Sequence, residues 1–131
     1  MATKKYIENG EGMQLCTSPI SQAVIANNMC FISGQLALND AGEFVSGIIL
    51  EEAQLAFWNF FSVLKKSGFK KSDVVFIDIA FNDLKDLPIV NQLFKDLFPL
   101  DKRPARTIYQ AQALPYGGKI KVTGTAVKDL A

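Results

Sequence analysis

The chain has 131 residues, of which 49% are hydrophobic and 21% charged, and 14 basic against 13 acidic residues leave a net charge of +1. That composition excludes an intrinsically disordered chain, and the charge balance gives no reason to expect a nucleic acid or an anionic membrane as partner. Histidine is absent, which removes Ser-His-Asp and Cys-His nucleophile systems, histidine metal sites and the usual general base near neutral pH.

The length predicts one domain over residues 1–131, able to bury a core without disulfides or metals. Met1 to Tyr6 has no apolar run after its charges, so no secretory signal is expected. The longest apolar stretches fall far short of the ~20 residues that span a bilayer. Cys16 and Cys30 form no C-x-x-C and read as reduced thiols, which predicts a cytoplasmic protein. No Walker A or dinucleotide glycine pattern is present. Any catalysis must rely on carboxylates, Lys, Arg, Tyr, Cys, backbone amides and water.

Lys4–Glu8 is an expected edge strand, followed by a turn at Asn9-Gly10-Glu11-Gly12. Ala23 to Ser33 reads strand, turn, strand, with Asn27-Asn28 tolerating the positive φ of a tight hairpin. From Ile48 to Ser67 the spacing of Ala53, Ala56, Phe57, Phe60 and Leu64 predicts a helix with one core-facing stripe. Phe57, Trp58, Phe60 and Phe61 read as core material within it. Glu51 and Glu52 open that helix and Lys65 and Lys66 close it, as the helix dipole favours. Gly68 then stops it.

Val74–Phe81 is apolar except for Asp78 and reads as a central strand buried on both faces. Pro88 opens a second helix with Val90, Leu93, Phe94 and Leu97 as its apolar stripe, and Pro99 ends it. Arg106–Ala111 and Lys119–Val127 are the last strands, joined by the turn Leu114-Pro115-Tyr116-Gly117-Gly118. The order β-β-β-α-β-α-β-β is an α+β fold in which two helices cover one sheet face. The other face needs cover too, and copies of the same chain in a closed homo-oligomer are expected to supply it. A site between subunits follows as an expectation.

Twelve of the fourteen cations are lysines; the two arginines, Arg103 and Arg106, both lie in Lys102-Arg103-Pro104-Ala105-Arg106. Guanidinium offers a planar fork that binds a carboxylate at two points, which an ammonium cannot do. Arg106 opens a strand after a rigid Pro-Ala step and is the predicted anion-binding residue. Arg103 reads as part of a solvated strand-entry loop. Tyr116 and Tyr109 read as packed aromatics with wet hydroxyls, with Tyr116 in reach of a cleft.

Four short motifs in this order resemble the Rid family of reactive enamine/imine deaminases, also called the YjgF family. They are Ser18-Pro19-Ile20-Ser21-Gln22-Ala23, Ser33-Gly34-Gln35-Leu36, Val90-Asn91, and Arg103-Pro104-Ala105-Arg106 followed by Leu114-Pro115. The resemblance covers about residues 18–127. It implies a chorismate-mutase-like fold, a six-stranded sheet with two helices on one face, and a homotrimer with three clefts between subunits. It also implies hydrolysis of 2-imino acids to 2-oxo acids and ammonia with no cofactor. By the same resemblance Arg106 grips the carboxylate of a small metabolite, Ser33 and Gly34 line the cleft, and Asn91 lies near it.

The sequence departs from the family at three cleft positions. Ile20 stands where active deaminases carry tyrosine. Lys121 stands at the glutamate proposed to position or activate water. Ile108 stands where cysteine is common. Period two places Arg106, Ile108 and Gln110 on one strand face, and Lys119, Lys121, Thr123 and Thr125 on another. If Lys121 points into the cleft, two cations meet there, and a protonated lysine accepts no proton from water. Two functions are therefore expected in competition. One is a 2-imino acid deaminase; the other is a non-catalytic trimer that binds a small anionic metabolite. The older endoribonuclease label of the family finds no support in a histidine-free chain of balanced charge.

Overall fold

A computed structural model describes residues 3–10 and 12–129. Met1, Ala2 and Glu11, which entered the readings of the amino terminus and its turn, lie outside the described residues, as do Leu130 and Ala131 at the end of the expected domain.

The strands are β1 (Lys4–Ile7), β2 (Ala23–Ala26), β3 (Met29–Gln35), β4 (Val74–Phe81), β5 (Ala105–Gln110) and β6 (Ile120–Val127). They form one sheet in the order β1-β2-β3-β6-β4-β5, antiparallel except for the β4–β5 pair. Asn27 takes φ 55° in the two-residue β2–β3 hairpin, the conformation an Asn pair tolerates. The helices α1 (Ile49–Lys66) and α2 (Leu87–Leu97) are both packed on one face of this α+β fold.

Periodicity explains α1. Ala53, Ala56, Phe57, Phe60 and Leu64 are all buried against the sheet. Glu51 reaches back to accept the Ile48 N–H at 3.2 Å, which satisfies one free donor of the first turn. Gly68, at φ 85°, ends the helix. Gly124 in β6 lets the helix approach closely, because a Cβ there would lie 2.6 Å from the Phe76 carbonyl and 2.8 Å from Phe60 Cζ.

The core-facing sheet rows run Ala23–Ile32–Gly124–Ile77–Arg106 and Gln35–Val122–Ile79–Ile108. The opposite face carries Phe31, Thr125, Thr123, Asp78, Thr107, Lys121 and Tyr109, and no helix covers it. β4 is consequently open on that side around Asp78, which is half-buried, although Ala80 farther along the same face stays buried. Register slips between Val74 and Phe76, so a bulge turns both Val75 and Phe76 outward to solvent. The expectation that β4 is buried on both faces does not hold within one chain.

Two further expectations are corrected. Trp58 is not core: it points away from the sheet and is 67% exposed, while Phe61 is half-buried. Lys119 precedes β6 and does not share a face with Lys121. Its ammonium meets Glu52 at 3.0 Å and the Gly47 carbonyl at 2.9 Å, and its N–H meets Glu52 at 2.9 Å. Glu52, only 2% exposed, is thus a buried clamp between α1 and β6 rather than a solvated dipole partner. No helix of the described residues is long and apolar enough to cross a membrane.

Candidate functional site

A cavity of about 290 Å³ opens where the loop before β2, the end of β3, the start of β6 and the Pro115–Gly117 turn converge. Four of the predicted site residues line it: Ile20, Gly34, Tyr116 and Lys121. Their convergence has a local cause. Register between β3 and β6 slips between Ile32 and Gln35, so Ser33 and Gly34 form a bulge. The bulge presents Gly34 to Lys121, whose stem fills the space a Cβ would need, 2.8 Å from Lys121 Cδ. The same bulge returns Gln35 to the interior.

Tyr116 has φ 63°, a left-handed conformation that costs a residue with a Cβ about 1–3 kcal/mol. Stacking of its ring on Phe44, at 5.8 Å between centroids, holds it there at the cavity rim. Ser33 stands beside the cavity rather than in its wall. Its hydroxyl donates to the Ser21 carbonyl at 2.6 Å, and its N–H donates to the Gln22 carbonyl at 2.9 Å. Ser33 thus shapes the cleft by tying the motif of residues 18–23 to β3.

The cavity floor was not read from the sequence. Gln14, Gln22 and Gln35 are buried and connected. Gln35 Nε2 donates to Gln22 Oε1 and to the Ser33 carbonyl, both at 3.0 Å, while Gln35 Oε1 accepts from Gln14 Nε2. The Ser33 carbonyl fixes the direction of the chain, because it can only accept. The network therefore ends on Gln14 Oε1, a buried acceptor with no donor. Gln22 and Gln35 lie inside the quoted motifs; Gln14 has no sequence signal beyond its proximity to them.

Arg106, Ile108 and Asn91 lie elsewhere. Arg106 pairs in register with Ile77, so its side chain leaves the sheet on the helical face, opposite Lys121. β5 is the edge strand, two strands from β6, or about 10 Å across the sheet. The Arg106 guanidinium stacks over the Phe94 ring of α2 at 4.8 Å. Burial lowers its pKa, and no carboxylate of the described residues lies within ion-pair distance. Ile108 packs on the core beside it, and Asn91 sits half-buried one turn before Phe94 on α2. Within one protomer the two cations therefore do not meet. A cleft containing both takes Arg106 from one copy and the Lys121 cavity from another.

This geometry can be set beside known proteins. The sequence pattern of the family described as Endoribonuclease L-PSP matches residues 14–128. The 2-iminobutanoate/2-iminopropanoate deaminase of Capra hircus is 38% identical over 111 residues, covering 84% of this chain and 80% of that protein. The Arabidopsis thaliana protein named Reactive Intermediate Deaminase A, chloroplastic, is 37% identical over 92% of this chain and 65% of its own length. Among crystal structures, a Rid-family protein of Yersinia pestis superposes with a TM-score of 0.89 at 28% identity, covering 96% of this chain and all of that one. RidA of an Antarctic Psychrobacter gives 0.87 at 26% identity, covering 95% of this chain and all of the other. The fold is thus the chorismate-mutase-like one, a six-stranded sheet with two helices on one face. With sequence pattern, relatives and structures agreeing over nearly the whole chain, it belongs to the Endoribonuclease L-PSP family, the Rid or YjgF family.

Proposed function

We propose that the chain hydrolyses small 2-imino acids to 2-oxo acids and ammonia, without a cofactor, in clefts shared by the protomers of a homotrimer. The observation that carries this reading is Arg106: a half-buried guanidinium on an edge strand, stacked on Phe94 and lacking a carboxylate among the described residues. Stacking orients the plane of its donor fork, and partial desolvation strengthens its attraction for an incoming carboxylate. The names of the relatives supply the reaction class. The trimer is supported by the uncovered sheet face, where Phe31, Val75, Phe76 and Tyr109 are exposed.

In this reading Arg106 of one protomer holds the carboxylate, and the neighbour's cavity takes the reacting end. Water adds to the carbon of the protonated C=N bond, so that the C–O bond forms and the nitrogen keeps the electron pair. The carbinolamine then loses ammonia, and the C=O bond of the 2-oxo acid forms as the C–N bond breaks. The chain contributes positioning and charge stabilisation. Lys121 lines the cavity where a base would be useful, so proton transfer from the attacking water falls to solvent.

That same lysine favours a second reading, a non-catalytic trimer that binds a small anionic metabolite. A coupled assay separates the two. Purified protein is added to a threonine dehydratase that generates 2-iminobutyrate, and imine loss is followed against buffer. Deamination predicts an acceleration that disappears in Arg106→Ala. No acceleration, with thermal protection by 2-oxobutyrate, establishes the binder instead.

A further inference from the structure

The helical layer carries an apolar groove that the imine site does not use. On α1 it is walled by Leu50, Gln54, Trp58 and Phe61, which recur at three- and four-residue steps and form one stripe. On α2 it is walled by Ile89, Leu93 and Leu97. Two hollows that share Gln54 and Leu93 make the groove continuous. From Leu50 to Lys65 it runs about 22 Å along the α1 axis. Its larger part is an open hollow of about 730 Å³. Trp58 stands in that wall, exposed despite its size.

One end is strongly basic. Lys65, Lys70 and Lys71 border the larger part, and Lys66 lines the hollow on the far side of Trp58. None of the four has an ion-pair partner among the described residues. The Lys71 ammonium lies 4.7 Å over the Phe61 ring, so charge and apolar floor are contiguous. An apolar trough edged by charge marks an interaction site. A second copy packed parallel on this face would set lysine against lysine, and one packed antiparallel would offer the four lysines only Asp96 among the residues lining the opposite end, so this face matches itself poorly. The uncovered sheet face lies on the other side of the fold, so a trimer built through it leaves the groove free.

We propose that this groove docks an acidic amphipathic helix of a partner protein. A trough between two helices, open along its length, has the shape that accepts a third helix by its apolar stripe. Leucine-like anchors of the partner pack on Trp58, Phe61, Leu93 and Leu97. Its carboxylates face Lys65, Lys66, Lys70 and Lys71, together with the negative end of its own helix dipole.

Trp58 is the only tryptophan of the chain, so its fluorescence reads occupancy directly. The test titrates the full-length protein with a synthetic, tryptophan-free helical peptide of about 16 residues, enough to span the groove. The peptide has leucines on one face and glutamates on the other. The expected result is a saturable blue shift of Trp58 emission that weakens with salt. Lys65→Gln, Lys70→Gln and Lys71→Gln combined should weaken binding about tenfold. Calorimetry on Trp58→Ala, at a side chain 67% exposed, should show binding reduced to a similar or greater extent. The proposal is overturned by an absent shift, or by an equal shift with a peptide carrying lysines in place of glutamates. A shift caused by phosphatidylglycerol vesicles but not by the peptide overturns it too, and assigns the face to membranes.

Discussion

The stem of Lys121 lies over Gly34 so closely that a methyl group on Gly34 would come 2.8 Å from Lys121 Cδ and 3.1 Å from Cγ. The absent side chain at the β3 bulge therefore decides where the cavity's cation sits. Gly34→Ala should push the lysine aside at a folding cost of about 1–2 kcal/mol, since the Lys121 stem must swing away and Thr123 Oγ1, 3.3 Å from the new methyl, leaves little slack. Binding of 2-oxobutyrate, measured by calorimetry, should change severalfold while the denaturation midpoint falls only by that cost.

Lys121 occupies a cavity wall where a carboxylate could accept a proton from water. Lys121→Glu should raise the rate of 2-iminobutyrate hydrolysis by about tenfold or more, within the range general-base assistance supplies. The gain should vanish at acid pH as the new carboxyl protonates. The coupled dehydratase assay across pH measures both features.

Glu52 is buried and receives the N–H and the ammonium of Lys119, which ties α1 to the start of β6. Lys119→Met leaves the carboxylate with the backbone donor alone. Lys119 is itself partly exposed, so the loss is smaller than for a fully buried pair, about 2 kcal/mol. Glu52→Gln keeps the shape and one acceptor and should cost less. Urea unfolding of both variants gives the order.

Burial raises the Cys30 thiol pKa above its ordinary value, against smaller lowering effects of the Ser67 hydrogen bond and of Lys128. The folded state therefore keeps this proton at pH values where the unfolded chain has released it. Its contribution to stability is complete below the unfolded value of about 8.5 and is lost as pH rises through the folded one. The wild type should lose stability over that alkaline window more steeply than Cys30→Ala. Urea midpoints compared at neutral and alkaline pH test the sign.

Much of the architecture is legible in the residues because its signals are local. The stripe Ala53 to Leu64 has no alternative to a core-facing helix, and Asn27-Asn28 has few alternatives to a tight hairpin. What escaped has non-local causes. Period two groups Arg106 with Ile108 and Lys121 with Thr123, but which face each group takes depends on the pairing of β5 with β4 and of β6 with β3. The bulges at Ser33–Gly34 and at Val75 shift that facing with no cue beyond one glycine. Trp58 reads as core in any helix, and only the placement of α2 shows that its side of α1 stays open. Gln35 lay inside a recognised motif, yet its part in the cavity floor needs Gln14 and Gln22 in space.

The central claim is that Arg106 of one protomer and the cavity of its neighbour make one hydrolytic site, and subunit mixing tests it most directly. Arg106→Ala removes the clamp, and Ile20→Trp plugs the cavity at a residue already half exposed. Each homotrimer alone should be inactive. Trimers reassembled from equal parts of the two should regain about a quarter of the wild-type rate, because random pairing leaves that share of interfaces with both halves intact. An active wild type whose two variants fail to complement would contradict the account and put the whole site within a single chain.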